Sequence, residues 1–419
     1  LLAHAAGKPI FFERATILEK NVGGNFATLQ LLLVAPSAKR ANQVVADEVQ
    51  HTNLGIATMN RKRQSLGRRC RMESLEAKAM MAGDVDVMFS GGALEIQGDD
   101  FANAIEVVQT ANGNLTIRGL ADANGVATTI NGRASVTFAG AQIENAQIRM
   151  AGGDDAVTVR NVAVANDLVV ETGSGNDRLS IVGVSAGASM QLKTGDGNDQ
   201  ASLASLTVGN DIVVETEGGN DAVVLRNSNI GVTASLITGS GNDTVNFVNS
   251  QVGGSLEVQT ETGDDQVAVR GLTVGETLKF DTGEGNDRVV ANDITTGVDT
   301  EVSTSTGNDI VNLAFMDIGG NLTIATDNGT DRVVVRDVNV ATDFTVDAGA
   351  AADVVIAERI AAGSNVSLKT GDGNDRLTAR NISAAVDILL DGEADVDALI
   401  REALFAGNAL IITDFESIR

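Results

Sequence analysis

The chain has 419 residues, including 46 Gly, two Pro and neither Trp nor Tyr, and 56 acidic against 30 basic residues leave a net charge of −26. That charge excludes phosphate-backbone binding as a main role. Two prolines fit a sheet in which nearly every N–H donates to a neighbouring strand.

The charge is unevenly spread. Residues 1–82 hold twelve Lys/Arg against six Asp/Glu, a balance of +6, whereas residues 83–419 hold eighteen against fifty, a balance of −32. The first region also holds His4, His51 and Cys70. The chain opens on Leu1, so a fragment or translated upstream sequence is expected. Its apolar run 26–35 is too short to span a bilayer; Gln30 and the acidic flank argue against a signal peptide. Met59 is followed by NRKRQSLGRRCR and then MESLEAKAMMAG. That stretch resembles the basic N-terminus, with an ESLE-x-[KR]-x-[LM]-[LM] box, of large exported bacterial proteins. The resemblance implies export; a basic disordered leader without that role is the alternative for 1–82.

Residues 83–154 read as β-rich but irregular, with DVDVMFSG, GNLTIRGL and RASVTFAG. An irregular β cap is expected here, because an open solenoid end is an exposed sheet edge. Asp100 in QGDD reads as an early version of the corner that follows.

From Asp155 the chain repeats every 22 residues: Asp177, Asp199, Asp221, Asp243, Asp265, Asp287, Asp309, Asp331, Asp353, Asp375 and Asp397. Counting each Asp as position 1, the third position reads Val157, Leu179, Ala201, Val223, Val245 and onward to Leu399. Positions 14 and 16 are as apolar, broken at 14 by Ala234 and Thr300. This alternation is the period of a strand with one buried face. A Gly-Asn-Asp corner and a glycine at position 11 (Gly187, Gly209, Gly231 and later copies) cut each repeat, the latter expected at positive φ. A weaker break recurs at position 7, as Asn161, Gly183, Asn227 and Asn249. A fixed period with two or three short strands predicts an all-β parallel β-solenoid of about twelve coils, regular over 155–396. At about 4.8 Å per rung, the rod is roughly 55–60 Å long. Arg401 occupies a core column, so 397–419 reads as a degenerate last coil.

The corner TGxGND followed by x-[LV]-x resembles the nonapeptide of haemolysin-type (RTX) calcium-binding repeats. The likeness covers the corners from 172 to 309 and again TGDGNDRLT at 370–378. It implies Ca²⁺ bound between neighbouring coils by Asp177, Asp199, Asp221, Asp243, Asp265, Asp287, Asp309 and Asp375, with Asp155 opening the row. Carbonyl ligands would lie near Gly175, Gly197, Gly219, Gly241, Gly263, Gly285, Gly307 and Gly373. Thr replaces the family's first glycine, and the motif comes once per coil, so a single row of ions is implied. Independently, carboxylates stacked at rung spacing repel by about 1 kcal/mol per pair at the dielectric of water, and by several if shielded. A hard cation relieves that, and the oxygen donors suit Ca²⁺ better than zinc or copper. The alternative is a metal-free turn, with Asp accepting loop N–H groups and the Thr column from Thr172 to Thr370 forming a hydroxyl ladder. The lone Asp331, Asp353 and Asp397, kept where the loop decays, favour that alternative locally.

No insertion interrupts the phase from Asp155 to Asp397, so a polysaccharide-active enzyme lacks a cleft wall, and the repeats hold neither His nor Cys for a triad. The expected role is a non-catalytic, secreted or cell-surface calcium-binding rod or adhesion module. A metal-free stalk is the alternative, and surface glycans or other surface proteins are the expected partners. Arg160, Arg226, Arg270, Arg336 and Arg380 share a column that reads either as salt bridges or as a stripe for an acidic glycan.

Overall fold

Alternation dictates that positions 3 and 5 turn inward from one strand and positions 14 and 16 from another. The computed structural model describes residues 83–419 except Asn124, and the strands Ala3–Ala5, Lys8–Ile10, Ala15–Leu18 and Gln30–Leu33. The leader and export-box readings fall almost wholly outside the described residues. The four early strands pair antiparallel in two hairpins, within a unit spanning Leu1–Ser74.

In the second unit, Leu75–Arg419, each coil has a long arm and a short arm, as in Thr244–Val252 and Leu256–Gln259. Each arm pairs in parallel with its copy 22 residues on, so Val157 lies beside Leu179 and Leu168 beside Met190. The register holds to Leu399 on the long arm and Leu410 on the short one. The interior is a continuous apolar column; Val157, Leu179, Val223 and Leu236 are fully buried. Thr300, the polar break at position 14, meets Thr296 across the core with hydroxyl oxygens 3.1 Å apart, so each satisfies the other. Among the described residues no helix is long and apolar enough to cross a membrane.

The break at position 7 is a bend within the long arm, with φ of 54° at Asn161, 65° at Gly183 and 49° at Asn249. Position 11 behaves otherwise than expected, because its glycines are absent from the positive-φ residues. The reason for glycine there is close stacking: a Cβ on Gly209 would stand 2.0 Å from the Gly187 carbonyl oxygen. Ala341 and Ala385 share that column.

The N-terminal cap converts parallel edges into antiparallel ones. Ala104–Gln109 pairs in parallel with Ala156–Arg160, and Leu115–Gly119 folds back against it antiparallel. On the short arm Asp84–Ser90 covers Ala93–Gln97 in the same way. Asp100 is exposed and is not the first member of the Asp column. Ala104 is the partner of Ala156, so the residue that precedes it, the buried Asn103, holds that place. At the other end Arg401 is exposed, its N–H donating to Arg419.

Glycine at position 21 of the corner is more tightly constrained than at position 20, and Ala351 and Asp395 take that place only in coils where the loop has decayed, with φ of 98° and 82°. Gly219 has φ of 140°, and a Cβ there would stand 1.6 Å from the Gly197 carbonyl oxygen. Its neighbour Gly218 would meet nothing nearer than Ser240 Oγ at 3.3 Å. G219A is therefore expected to cost roughly 3 kcal/mol and G218A less than about 0.5 kcal/mol. Denaturant midpoints of the two variants check this, and equal losses would refute the stacking argument.

Candidate metal-binding corner

Position 1 lies two residues before the buried position 3, so the strand period carries its side chain inward with Val157 and its copies. All twelve aspartates from Asp155 to Asp397 are at most 3% exposed. They form one vertical row at the Gly-Asn-Asp corner. From Asp177 on, each Oδ1 accepts the main-chain N–H of the Asp one coil earlier: Asp155 N–H donates to Asp177 Oδ1 at 2.8 Å, and Asp221 N–H to Asp243 Oδ1 at 2.8 Å; Asp155 Oδ1 accepts the Asn103 N–H at 2.6 Å. The series closes at Asp397, whose N–H donates to Glu416 at 2.6 Å.

The neighbouring Asn faces outward and builds the opposite ladder. Asn198 N–H donates to Asn176 Oδ1 at 3.0 Å, and Asn220 N–H to Asn198 Oδ1 at 2.8 Å. Around the corner the chain leaves the sheet, and these N–H groups have no carbonyl opposite them. Side-chain oxygens supply what the ladder lacks.

The Asp carboxylate is only half satisfied. Oδ2 of every member of the row, Asp155 through Asp397, is buried without a hydrogen-bond partner. Burial is the main cause of a raised pKa along the whole row, with neighbouring Asp charges secondary. It lifts Asp155 to about 8, Asp287 and Asp353 to about 7, and Asp177 to about 6. Mutual repulsion is thus the smaller part of the penalty, and desolvation the larger. The Thr172 hydroxyl opposes the rise at Asp177. The threonines form no hydroxyl-to-hydroxyl ladder: Thr172 Oγ1 donates to the Thr194 carbonyl at 3.2 Å, while the hydroxyls of Thr194, Thr238, Thr282, Thr304 and Thr370 make no hydrogen bond of good geometry but lie near enough to Asp199, Asp243, Asp287, Asp309 and Asp375 to oppose the rise there.

A second set of uncommitted oxygens lies at the same corner. Among the described residues no N–H donates to the carbonyls of Gly175, Gly197, Gly219, Gly241, Gly263, Gly285, Gly307 or Gly373. Carboxylate, carbonyl and hydroxyl oxygens are the donor chemistry that a hard cation takes, although the carbonyls from Gly175 to Gly307 are packed against the glycine of the next coil, as Gly197 is under Gly219. The described residues contain no group of three or more His, Cys, Asp or Glu able to hold a metal. An ion here would have to draw its carboxylate oxygens from successive coils and the balance from carbonyls and hydroxyls.

Two ladders escaped the sequence reading. One is the outward Asn row. The other caps the second corner at position 13, where Asn321 N–H donates to Asp299 at 2.7 Å and Asn365 N–H to Asp343 at 2.9 Å. A column of Asp, Asn, Ser and Thr at position 13 was its signal. Three of the five arginines in the Arg column form salt bridges: Glu358 holds Arg336 at 2.9 Å and Arg380 at 3.3 Å, and Glu106 faces Arg160 at 3.6 Å, while Arg226 and Arg270 have no ion pair among the described residues.

No protein-family model matches the chain, and no curated protein does. Among solved structures it is similar to a hyperactive, Ca²⁺-dependent, β-helical antifreeze protein from an Antarctic bacterium. Identity is 23% over 64% of this chain and 75% of that one, with a TM-score of 0.33.

Proposed function

We propose that residues 83–419 are a non-catalytic rod of an exported protein, a spacer or adhesion module in which Ca²⁺ neutralises the internal Asp row. The observation that supports this reading is the run of twelve buried Oδ2 atoms without a partner. A buried carboxylate must take up a proton or be paired. Asp155, Asp177, Asp199, Asp221, Asp243, Asp265, Asp287, Asp309 and Asp375 would hold the ions with the free glycine carbonyls. A bound cation supplies the positive charge that this interior otherwise lacks. A metal-free stalk is favoured at one place: Asp331 and Asp353 keep the inter-coil bond, at 2.7 Å, in coils where the loop has decayed.

Catalysis finds no support in the row. Acid and base roles need two carboxyls pushed apart, whereas here every pKa moves the same way for the same reason.

Replacing Asp243 separates the structural role from the cation role. D243N keeps an acceptor for the Asp221 N–H and removes the charge, so in EDTA it is expected to match or exceed the wild type. D243A orphans that buried N–H and costs about 1–3 kcal/mol. Both blunt the stabilisation by Ca²⁺, read from melting curves with and without the ion. A D243N protein as responsive to Ca²⁺ as the wild type would remove Asp243 from the site.

A further inference from the structure

The bend at position 7 opens a groove of about 490 Å³ on the outer surface of three successive coils, lined by Ser205, Thr207, Asn227, Asn229, Asn249 and Gln251. All six are exposed, and none is charged, in a chain of net charge −26. Their side chains form no hydrogen bond with other described residues, unlike the Asn side chains at both corners, which are spent on ladders.

The core beneath the groove departs from the repeat at two places. Position 8, facing inward beneath the bend, is Val162 and Val184 before the groove and Leu272, Ile294 and Met316 after it; within its three coils it is Leu206, Ser228 and Ser250, the first two lining the groove. Both serines are buried, and their hydroxyls are committed to the backbone. Ser228 Oγ donates to the Arg226 carbonyl at 2.9 Å and accepts the Leu206 N–H at 3.1 Å. Ser250 Oγ donates to the Val248 carbonyl at 3.0 Å. Both are smaller than the Val, Leu, Ile and Met that fill position 8 in the neighbouring coils. Phe247, the bulkiest inward residue of the long arm, fills the interior beside the bend.

We infer that this groove is a binding site for a neutral polysaccharide lying along the rod. Amides and hydroxyls donate and accept alike, as sugar hydroxyls do, and without formal charge they favour no ionic ligand. Equivalent groups recur at the rung spacing, about 4.8 Å, comparable with the length of one sugar residue in an extended chain. An acidic glycan is repelled by the rod's charge. A peptide adding as a strand finds no free edge, because the bend's N–H groups are taken: Ser205 donates to Arg226 and Asn227 to Val248. Lacking aromatic stacking, each rung binds weakly, and affinity accumulates along a polymer.

The inference names a ligand class for the adhesion arm of the proposal above and does not require calcium. Its test is retention of the full chain on immobilised dextran, mannan and amylose, with alginate and denatured casein as acidic and peptide comparators. The wild type is expected to be retained on at least one neutral polymer and eluted by that polymer in solution. N229A/Q251A should weaken retention at least tenfold with an unchanged melting curve, while T345A on the short arm leaves it intact. Passage of the wild type through all three neutral columns overturns the inference. So does equal retention of N229A/Q251A, or retention only on alginate or casein. Each column is run in Ca²⁺ and in EDTA with circular dichroism alongside. A rod indifferent to calcium that still binds the polymer then counts against the calcium reading alone.

Discussion

In millimolar Ca²⁺ the chain is expected to melt on the order of 10 °C higher than in EDTA, and restoring Ca²⁺ to the chelated protein should recover the difference. A ligand at one hundred times its dissociation constant stabilises by about 2.7 kcal/mol per site. Sites repeat along the row, and a kilocalorie moves a large domain's melting temperature by about 2 °C or more. The source of the effect is the row itself, where twelve carboxylate oxygens are buried with no partner. Mg²⁺, which holds its waters and demands octahedral geometry, should substitute poorly. Coincident curves in Ca²⁺ and EDTA would leave the aspartates as turn formers and nothing more.

In EDTA, acidification from pH 8 to pH 5 should stabilise the rod, the reverse of ordinary acid denaturation. Folding raises the aspartate pKa values from 3.8 to about 6 at Asp177, Asp221 and Asp265, about 7 at Asp287 and about 8 at Asp155. Between about pH 4 and those values the folded state holds more protons than the unfolded one, so stability falls as pH rises. The contribution is complete below the unfolded pKa and disappears as each folded pKa is passed. Every tenfold gain in proton affinity is worth about 1.4 kcal/mol, which makes the row the dominant titration. Asp337 and Glu358, held low by Arg359 and Arg336, act oppositely and lose their contribution in acid. An optimum near pH 4–5 follows. Ca²⁺ should flatten the profile above it by taking the protons' place. Stability climbing steadily from pH 5 to pH 8 in EDTA would contradict the burial of the row.

Much of the site was legible before any coordinates, and its limits are physical. The 22-residue period placed every Asp in one row, and register by that period is what the strands show. Inward orientation was also encoded, since Asp177 stands two residues before Leu179 and Thr172 two after Val170. The default expectation that carboxylates face water hid it. The exchange of bonds at the corner was not legible. Whether Asp243 reaches its predecessor and Asn220 its successor depends on where the chain leaves the sheet.

By itself the sequence determined the repeat, the parallel stacking, the core columns and the corner at which oxygen donors collect. These follow from alternation and periodicity, which are local and survive without knowledge of neighbours. Tertiary structure alone decided that desolvation outweighs repulsion in the Asp row, and that glycine at position 11 serves close stacking rather than positive φ. It also decided that Asn103 replaces Asp100, and that two buried serines lie at the bend beside an uncharged groove. Each of these depends on the distance between one coil and the next, a quantity set only when the whole stack closes.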